Sequence, residues 1–381
     1  MNGRKIFVII LFFLCLPLTL VPQSLSLAEF ELSTTGHITE TEKRANFVTE
    51  GTIALWFVPV NWLRFRAKAE FSIADTERFF NPEYSYKSPG EFVFDGLSLT
   101  VPVTGRWPVH FTVFTGNLED PSSGTLLETF QKTSFEDSEF YDTPAGKAFS
   151  PPASIEGLGF AVTTVPFNSS AVLGLYGSWN IKTGQDAGYS VDLRVGNAGR
   201  YFSFNLFGGA SFLMEDTTFL FRGGATALLK SNFNSELYMK TELRYFSSND
   251  FDISRNIYLL FEPRVYWKHA DLALSFFASP VFPDNVPVYA KIESESNYFG
   301  CNVKFSAGSA NKYRIRGGIN LLGSINPQEP AAISPFTFSV CPFYSMIISD
   351  FFLEFMVVIN PLLLDDLWSA GEIRLHIKAV Y

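Results

Sequence analysis

Cysteine is scarce, at three in 381 residues. Cys15 falls in the N-terminal apolar run, without the small-residue context of lipoprotein processing. Period-two alternation puts Cys301 and Cys341 on opposite faces, two strands apart, which excludes a disulfide scaffold. Histidine is equally sparse. His37, His110, His269 and His376 have no metal-type spacing to the cysteines and no neighbours resembling a nucleophile motif, so neither a metal centre nor an enzyme site is indicated and no cofactor is implied. Charged residues make up only 18% of the chain and sum to −9, which excludes a nucleic-acid partner. Long hydrophobic runs are missing as well. The most apolar internal stretch, residues 351–364, is broken by Glu354, Asn360 and Pro361 and makes no transmembrane helix.

Aromatic residues, by contrast, are abundant, at 16% with 41 Phe. A chain with membrane-like composition and no spanning helix must satisfy its backbone through a closed barrel. The N-terminus agrees with export. Arg4 and Lys5 precede an apolar run from Ile6 to Leu16 and a looser stretch ending in Ser26-Leu27-Ala28, the three parts of a secretory signal. Pro17, Thr19, Pro22 and Gln23 interrupt it as a membrane anchor. Residues 1–28 are therefore read as a cleaved signal and residues 29–381 as the barrel. Cleavage removes two positive and no negative charges, taking −9 to about −11.

Strand signals recur from end to end without a linker. Leu63, Phe65, Ala67, Ala69, Phe71 and Ile73 alternate with Arg64, Arg66, Lys68 and Glu70, which predicts a lipid face and a lumen face. The same division recurs over 236–245, over 257–268, where Glu262, Arg264 and Lys268 would face inward, and over 313–321. The fold class is all-β: a membrane-spanning antiparallel up-and-down barrel of sixteen to eighteen strands. Eighteen is favoured, with strands near 29–37, 48–58, 62–73, 91–103, 107–117, 156–166, 171–181, 187–196, 200–212, 217–230, 234–247, 255–269, 271–279, 297–307, 312–323, 335–345, 350–360 and 371–381. Pro102, Pro263 and Pro342 each remove a ladder hydrogen bond and predict bulges or redrawn strands there. Connections after even strands are compact and those after odd strands long, except the short one at Leu213 to Asp216; this pattern puts both termini in the periplasm.

The last strand carries Ile373, Leu375, Ile377, Ala379 and Tyr381 on one face. It resembles the assembly signal of bacterial outer-membrane proteins, with Tyr in place of the usual terminal Phe. The resemblance implies recognition by the barrel-assembly machinery and residence in outer-membrane lipid. The longest connection, residues 118–155, holds Glu119, Asp120, Glu128, Glu136, Asp137, Glu139 and Asp142 against Lys132 and Lys147. In position and length it resembles the third loop of general porins, which implies that it folds into the lumen and narrows it. The alternative is a solvated outer loop. Cationic groups are expected on the lumen wall at Arg64, Arg66, Lys68, Arg222, Lys240, Arg244, Arg264, Arg314 and Arg316. Opposed to an inward acidic loop, they would set up a field that favours polar solutes over apolar ones.

The expected function is a porin-like channel for passive diffusion of small hydrophilic solutes or ions. Two alternatives remain: a surface barrel that binds extracellular ligands, and a route for hydrophobic compounds suggested by Phe202, Phe204, Phe212, Phe336, Phe338 and Phe343. Association into trimers is implied by the resemblance alone.

Overall fold

The computed structural model describes residues 24–39, 44–76, 90–119, 124–131, 138–140, 154–166, 171–180, 188–214, 218–247, 257–280, 297–308, 315–325, 336–363 and 371–379. These residues form β1 (Ser24–Thr39), β2 (Arg44–Val60), β3 (Leu63–Ile73), β4 (Gly90–Val103), β5 (Val109–Glu119), β6 (Ile155–Thr164), β7 (Ala171–Asn180), β8 (Gly188–Ala198) and β9 (Phe202–Leu213). The second half continues with β10 (Thr218–Ser231), β11 (Ser235–Ser247), β12 (Ile257–Tyr266), β13 (Ala270–Pro280), β14 (Asn297–Gly308), β15 (Arg316–Ile325), β16 (Phe336–Ile348), β17 (Phe351–Ile359) and β18 (Gly371–Ala379). A seven-residue helix, α1 (Thr125–Gln131), lies in the connection between β5 and β6. Among the described residues no helix is long and apolar enough to cross a membrane.

Every strand pairs antiparallel with the next, and β18 returns to β1 with Glu31 opposite Lys378 and Gly36 opposite Ile373. Closure leaves no row of unpaired N–H and C=O groups, each of which would cost several kcal/mol in hydrocarbon. Strand β8 shows how the alternation is used. Val191 and Leu193 are 56% and 53% exposed, whereas Asp192 and Arg194 are 1% and 0% exposed. A water-soluble sheet would bury the first pair and solvate the second; this barrel turns apolar side chains outward to lipid and polar ones inward. The count is eighteen, and the strands read near 91–103, 271–279 and 335–345 are present as β4, β13 and β16.

The proline expectation is corrected. Pro102 faces His110, Pro263 faces Leu237 and Pro342 faces Ile319, all in unbroken register. An antiparallel residue directs its N–H to one neighbour only. The missing donors accordingly show as gaps in a single ladder, at Glu262–Pro263 towards β13 and at Cys341–Pro342 towards β17. Bulges fall elsewhere, between Leu27 and Glu29, Phe57 and Val60, Lys68 and Ala69, Asn117 and Glu119, and Phe221 and Gly223. Lys268 is a second correction, because β12 ends at Tyr266 and Lys268 lies exposed in the following turn.

Compact turns join even strands to odd ones, and Asn234 and Ser349 adopt φ of 54° in two of them. Exposed aromatic side chains sit in five such turns, at Trp62, Trp107, Tyr201, Phe233 and Trp267. This ring suits the water–lipid boundary, where an aromatic side chain has one apolar and one wet side. Strand β1 begins ahead of Glu29, and residues 24–27 pair with β2 alone.

Candidate functional site

The barrel interior is divided. The chain leaves the wall at Glu119, whose carboxylate pairs with Arg194 at 2.9 Å and accepts a 2.5 Å hydrogen bond from the Thr125 hydroxyl. Arg194 is thereby held at 0% exposure. Helix α1 then presses Leu126 and Leu127 onto the inner faces of β7 and β8. A Cβ at Gly196 would stand 3.0 Å from Leu127 Cδ2, so the bare backbone of β8 admits this approach. Gln131 Oε1 accepts a hydrogen bond from Ala198 N at 2.8 Å, and Phe130 packs on His110 with ring centres 4.5 Å apart. Ala198 is the last residue of β8, so α1 reaches the short-turn end of the barrel.

The same connection meets the wall again at residues 138–140. Glu262 on β12, 0% exposed, is the anchor. Its Oε2 accepts from the Ser138 hydroxyl at 2.6 Å, the Ser275 hydroxyl at 2.5 Å and Phe140 N at 3.3 Å. Its Oε1 accepts from Glu139 N at 3.0 Å and Arg264 Nε at 2.8 Å. A buried carboxylate costs free energy unless hydrogen-bonded, and here the connection's own backbone supplies donors. Glu139 pairs with Lys304 at 3.1 Å, and Phe140 stacks on Phe277 at 4.7 Å. Burial works against charge on Glu139, but Lys304, with Arg264 and Arg316 behind it, outweighs burial and holds the carboxyl below the ordinary carboxylate range. An apolar cluster fills the space between connection and wall: Leu126, Leu127, Phe140, Val172, Leu228, Tyr238, Tyr258, Leu260, Phe277 and Leu322.

A third contact closes the return. Arg222 on β10 makes a two-pronged pair with Asp192 on β8, at 2.7 Å and 2.6 Å, and donates to Ser154 O at 2.7 Å. Strand β9 runs between these two, and Gly209 lies opposite both. A Cβ there would stand 1.9 Å from Asp192 Oδ1, so only glycine lets the pair meet across the strand.

The expected wall cations thus separate into two groups. Arg222, Lys240 and Arg264 face inward but are buried, paired with Asp192, Glu242 and Glu262. Arg316 pairs with Asp271 at 3.0 Å. Arg64, Arg66 and Lys68 lie on a stretch of wall, from β18 through β1 to β3, where most inward side chains stay half-exposed or exposed. There Arg66 pairs with Glu29 at 2.9 Å, Lys68 with Glu70 and Asp95 at 3.1 Å and 2.9 Å, and His376 with Glu31 at 3.1 Å. Arg374 and Glu372 form a further ion pair.

Of the acids in the connection, Glu119 and Glu139 hold Arg194 and Lys304, and Glu128 stands exposed on α1, its carboxyl pushed up by partial burial. Asp120, Glu136, Asp137, Asp142, Arg314 and Tyr381 lie outside the described residues, as does the side chain of Arg244. Ile373, Leu375, Ile377 and Ala379 share the outward face of β18, opposite in sense to Glu372, Arg374, His376 and Lys378. Sequence reading did not single out Asp192, Arg194, Ser138, Phe140, Ser275 and Lys304. Inward alternation marks those on strands, but nothing local marks Ser138 or Phe140. Among the described residues no group of three or more His, Cys, Asp and Glu side chains is arranged to hold a metal ion.

No protein-family profile and no curated protein matches the chain. Solved structures do. The outer membrane protein OpdK of Pseudomonas aeruginosa superposes over 94% of this chain and 98% of its own at a TM-score of 0.52, with 9% identity. Pseudomonas aeruginosa OccK9 (OpdG) does so over 93% and 98% at 0.51, with 7% identity. This chain has the fold of an outer-membrane porin. CdiB from Acinetobacter baumannii aligns with 94% of this chain at a TM-score of 0.46 and 9% identity, but the chain spans only 60% of CdiB. The likeness to the two Pseudomonas structures is one of fold alone; at such identities the lining residues do not carry over.

Proposed function

We propose that the chain is a diffusion channel of the outer membrane, with a water-filled path for small hydrophilic solutes or ions between the β18–β3 wall and the connection 118–155. The observation that carries this reading is the unequal burial of the inner face. Barrels of this strand number are wide enough for an aqueous lumen. The connection fills one side with a protein-like core, and the other side keeps a ladder of half-exposed ion pairs. Such a lining stabilises water and polar solutes and disfavours apolar ones, so it argues against a route for hydrophobic compounds. Anchored at both Glu262 and Ala198, the connection acts as a fixed constriction.

Export by residues 1–28 belongs to the same reading. Cleavage after Ala28 removes only residues of β1 that have no partner on β18, and closure against β18, which begins at Glu31, survives it. Planar-bilayer recording of the purified protein tests the proposal. Discrete ion-conducting openings are expected, and their complete absence from a folded, heat-resistant barrel would overturn it.

A further inference from the structure

The lumen is lined by ion pairs, and a pair biases a passing ion only if its two ends are unequally presented. On the β18–β3 wall they are unequal. In the Arg66–Glu29 pair the side chains are 24% and 38% exposed, in Lys68–Glu70 17% and 47%, and in His376–Glu31 13% and 26%. Each time the carboxylate projects further into the lumen. Glu50 on β2 and Glu128 on α1 add exposed carboxylates, against Arg64 on β3 and Lys378 on β18 as exposed cations among the described residues of this wall. The remaining pairs, Lys68–Asp95 and Arg374–Glu372, are close to even.

The opposite side offsets this only in part. Arg194, Arg222, Lys240 and Arg264 lie beneath the connection, each against a carboxylate, whereas in the Arg316–Asp271 pair the cation is the more exposed end, at 44% against 6%. A charge acts on a passing ion over about 8 Å at physiological salt. Within that range the nearer, wetter end of a pair dominates. Resting on the channel reading above, we infer that the aqueous path presents a net acidic surface and passes cations in preference to anions, although its most conspicuous sequence feature is the basic run Arg64, Arg66 and Lys68.

The test is the reversal potential of the mature protein, purified from the outer membrane, in a planar bilayer under a KCl gradient at low ionic strength. The expected K+ to Cl− permeability ratio is above one. The combined variant E31Q/E50Q/E70Q should bring it towards one with the openings retained, and Arg64→Gln should raise it. A ratio at or below one in the wild type would overturn the inference and leave the channel reading standing. An unchanged ratio in the triple variant would overturn the assignment to these carboxylates. Absence of openings in the wild type would remove the channel reading and this inference together.

Discussion

The two halves of the inner wall start from the same rule and end differently. On β8–β14 the inward positions carry Asp192, Arg194, Arg222, Lys240, Glu262 and Arg264, all almost fully buried. On β18–β3 they carry Arg374, His376, Glu31, Glu29, Arg66 and Lys68, all half-exposed. Charge content and alternation are alike in both. The difference comes from pieces outside the strands, α1 and residues 138–140, which cover one wall and leave the other open. A charged inward residue in a barrel is therefore a lining residue only where nothing is laid over it. The same ion pair is structural beneath the connection and electrostatic beside it.

The sharpest way to break this contrast is to cut the anchor. Glu262→Ala removes the acceptor of Ser138, Glu139 N, Phe140 N and Ser275 and leaves Arg264 buried without its nearest carboxylate. Breaking one partner of a buried ion pair costs on the order of 3–5 kcal/mol. Detergent-solubilised protein should unfold at clearly lower denaturant, and single-channel conductance should rise and become noisy as residues 138–140 leave the wall. Quiet openings of wild-type conductance would show that the connection is held without Glu262.

A smaller effect is expected one step round the wall. Gly209→Val would force a side chain into the space where Asp192 and Arg222 meet across β9. Overpacking of this kind costs roughly 1–3 kcal/mol. Arg222 also holds Ser154 O, so the return of the connection should loosen as well, measurable as faster proteolysis within 141–153 in folded protein. Unaltered proteolysis and stability would mean that the strands adjust around the new side chain and the pair is not tied to the bare backbone of β9.

The barrel was legible because its cause is local. Lipid outside and water inside impose a period of two on each strand, and Leu63 to Ile73 or Ile373 to Ala379 shows it within one segment. Prolines misled because a strand tolerates the loss of one donor when only one neighbour is affected, which depends on register and not on the residue. The lumen was less legible. Arg222, Lys240 and Arg264 read as lining because their strands alternate, yet burial is decided by α1 and residues 138–140, distant in sequence. Ser138 and Phe140 act through Glu262 and Phe277, more than a hundred positions away, and carry no signal of their own.

The most delicate measure of the two walls is pH, because the connection's acids shift in opposite directions. Burial raises the pKa of Glu128, which lies exposed on α1 beside the open path, so it takes up a proton earlier than an ordinary carboxylate as pH falls. Lys304 lowers that of Glu139 against the opposing effect of burial. A lowered folded-state pKa gives stability that is complete above the unfolded pKa and is lost as pH falls through the folded value. Acidification should therefore act in two stages. Cation preference declines first, as Glu128 loses its charge at or above the usual carboxylate range. The connection loosens second, below that range, as Glu139 releases Lys304. Glu128→Gln should blunt the onset of the first stage and leave the second, read as permeability ratio and current noise across a pH series. A first stage whose onset is unmoved by Glu128→Gln would show that the open path takes its acidity from the β18–β3 wall alone.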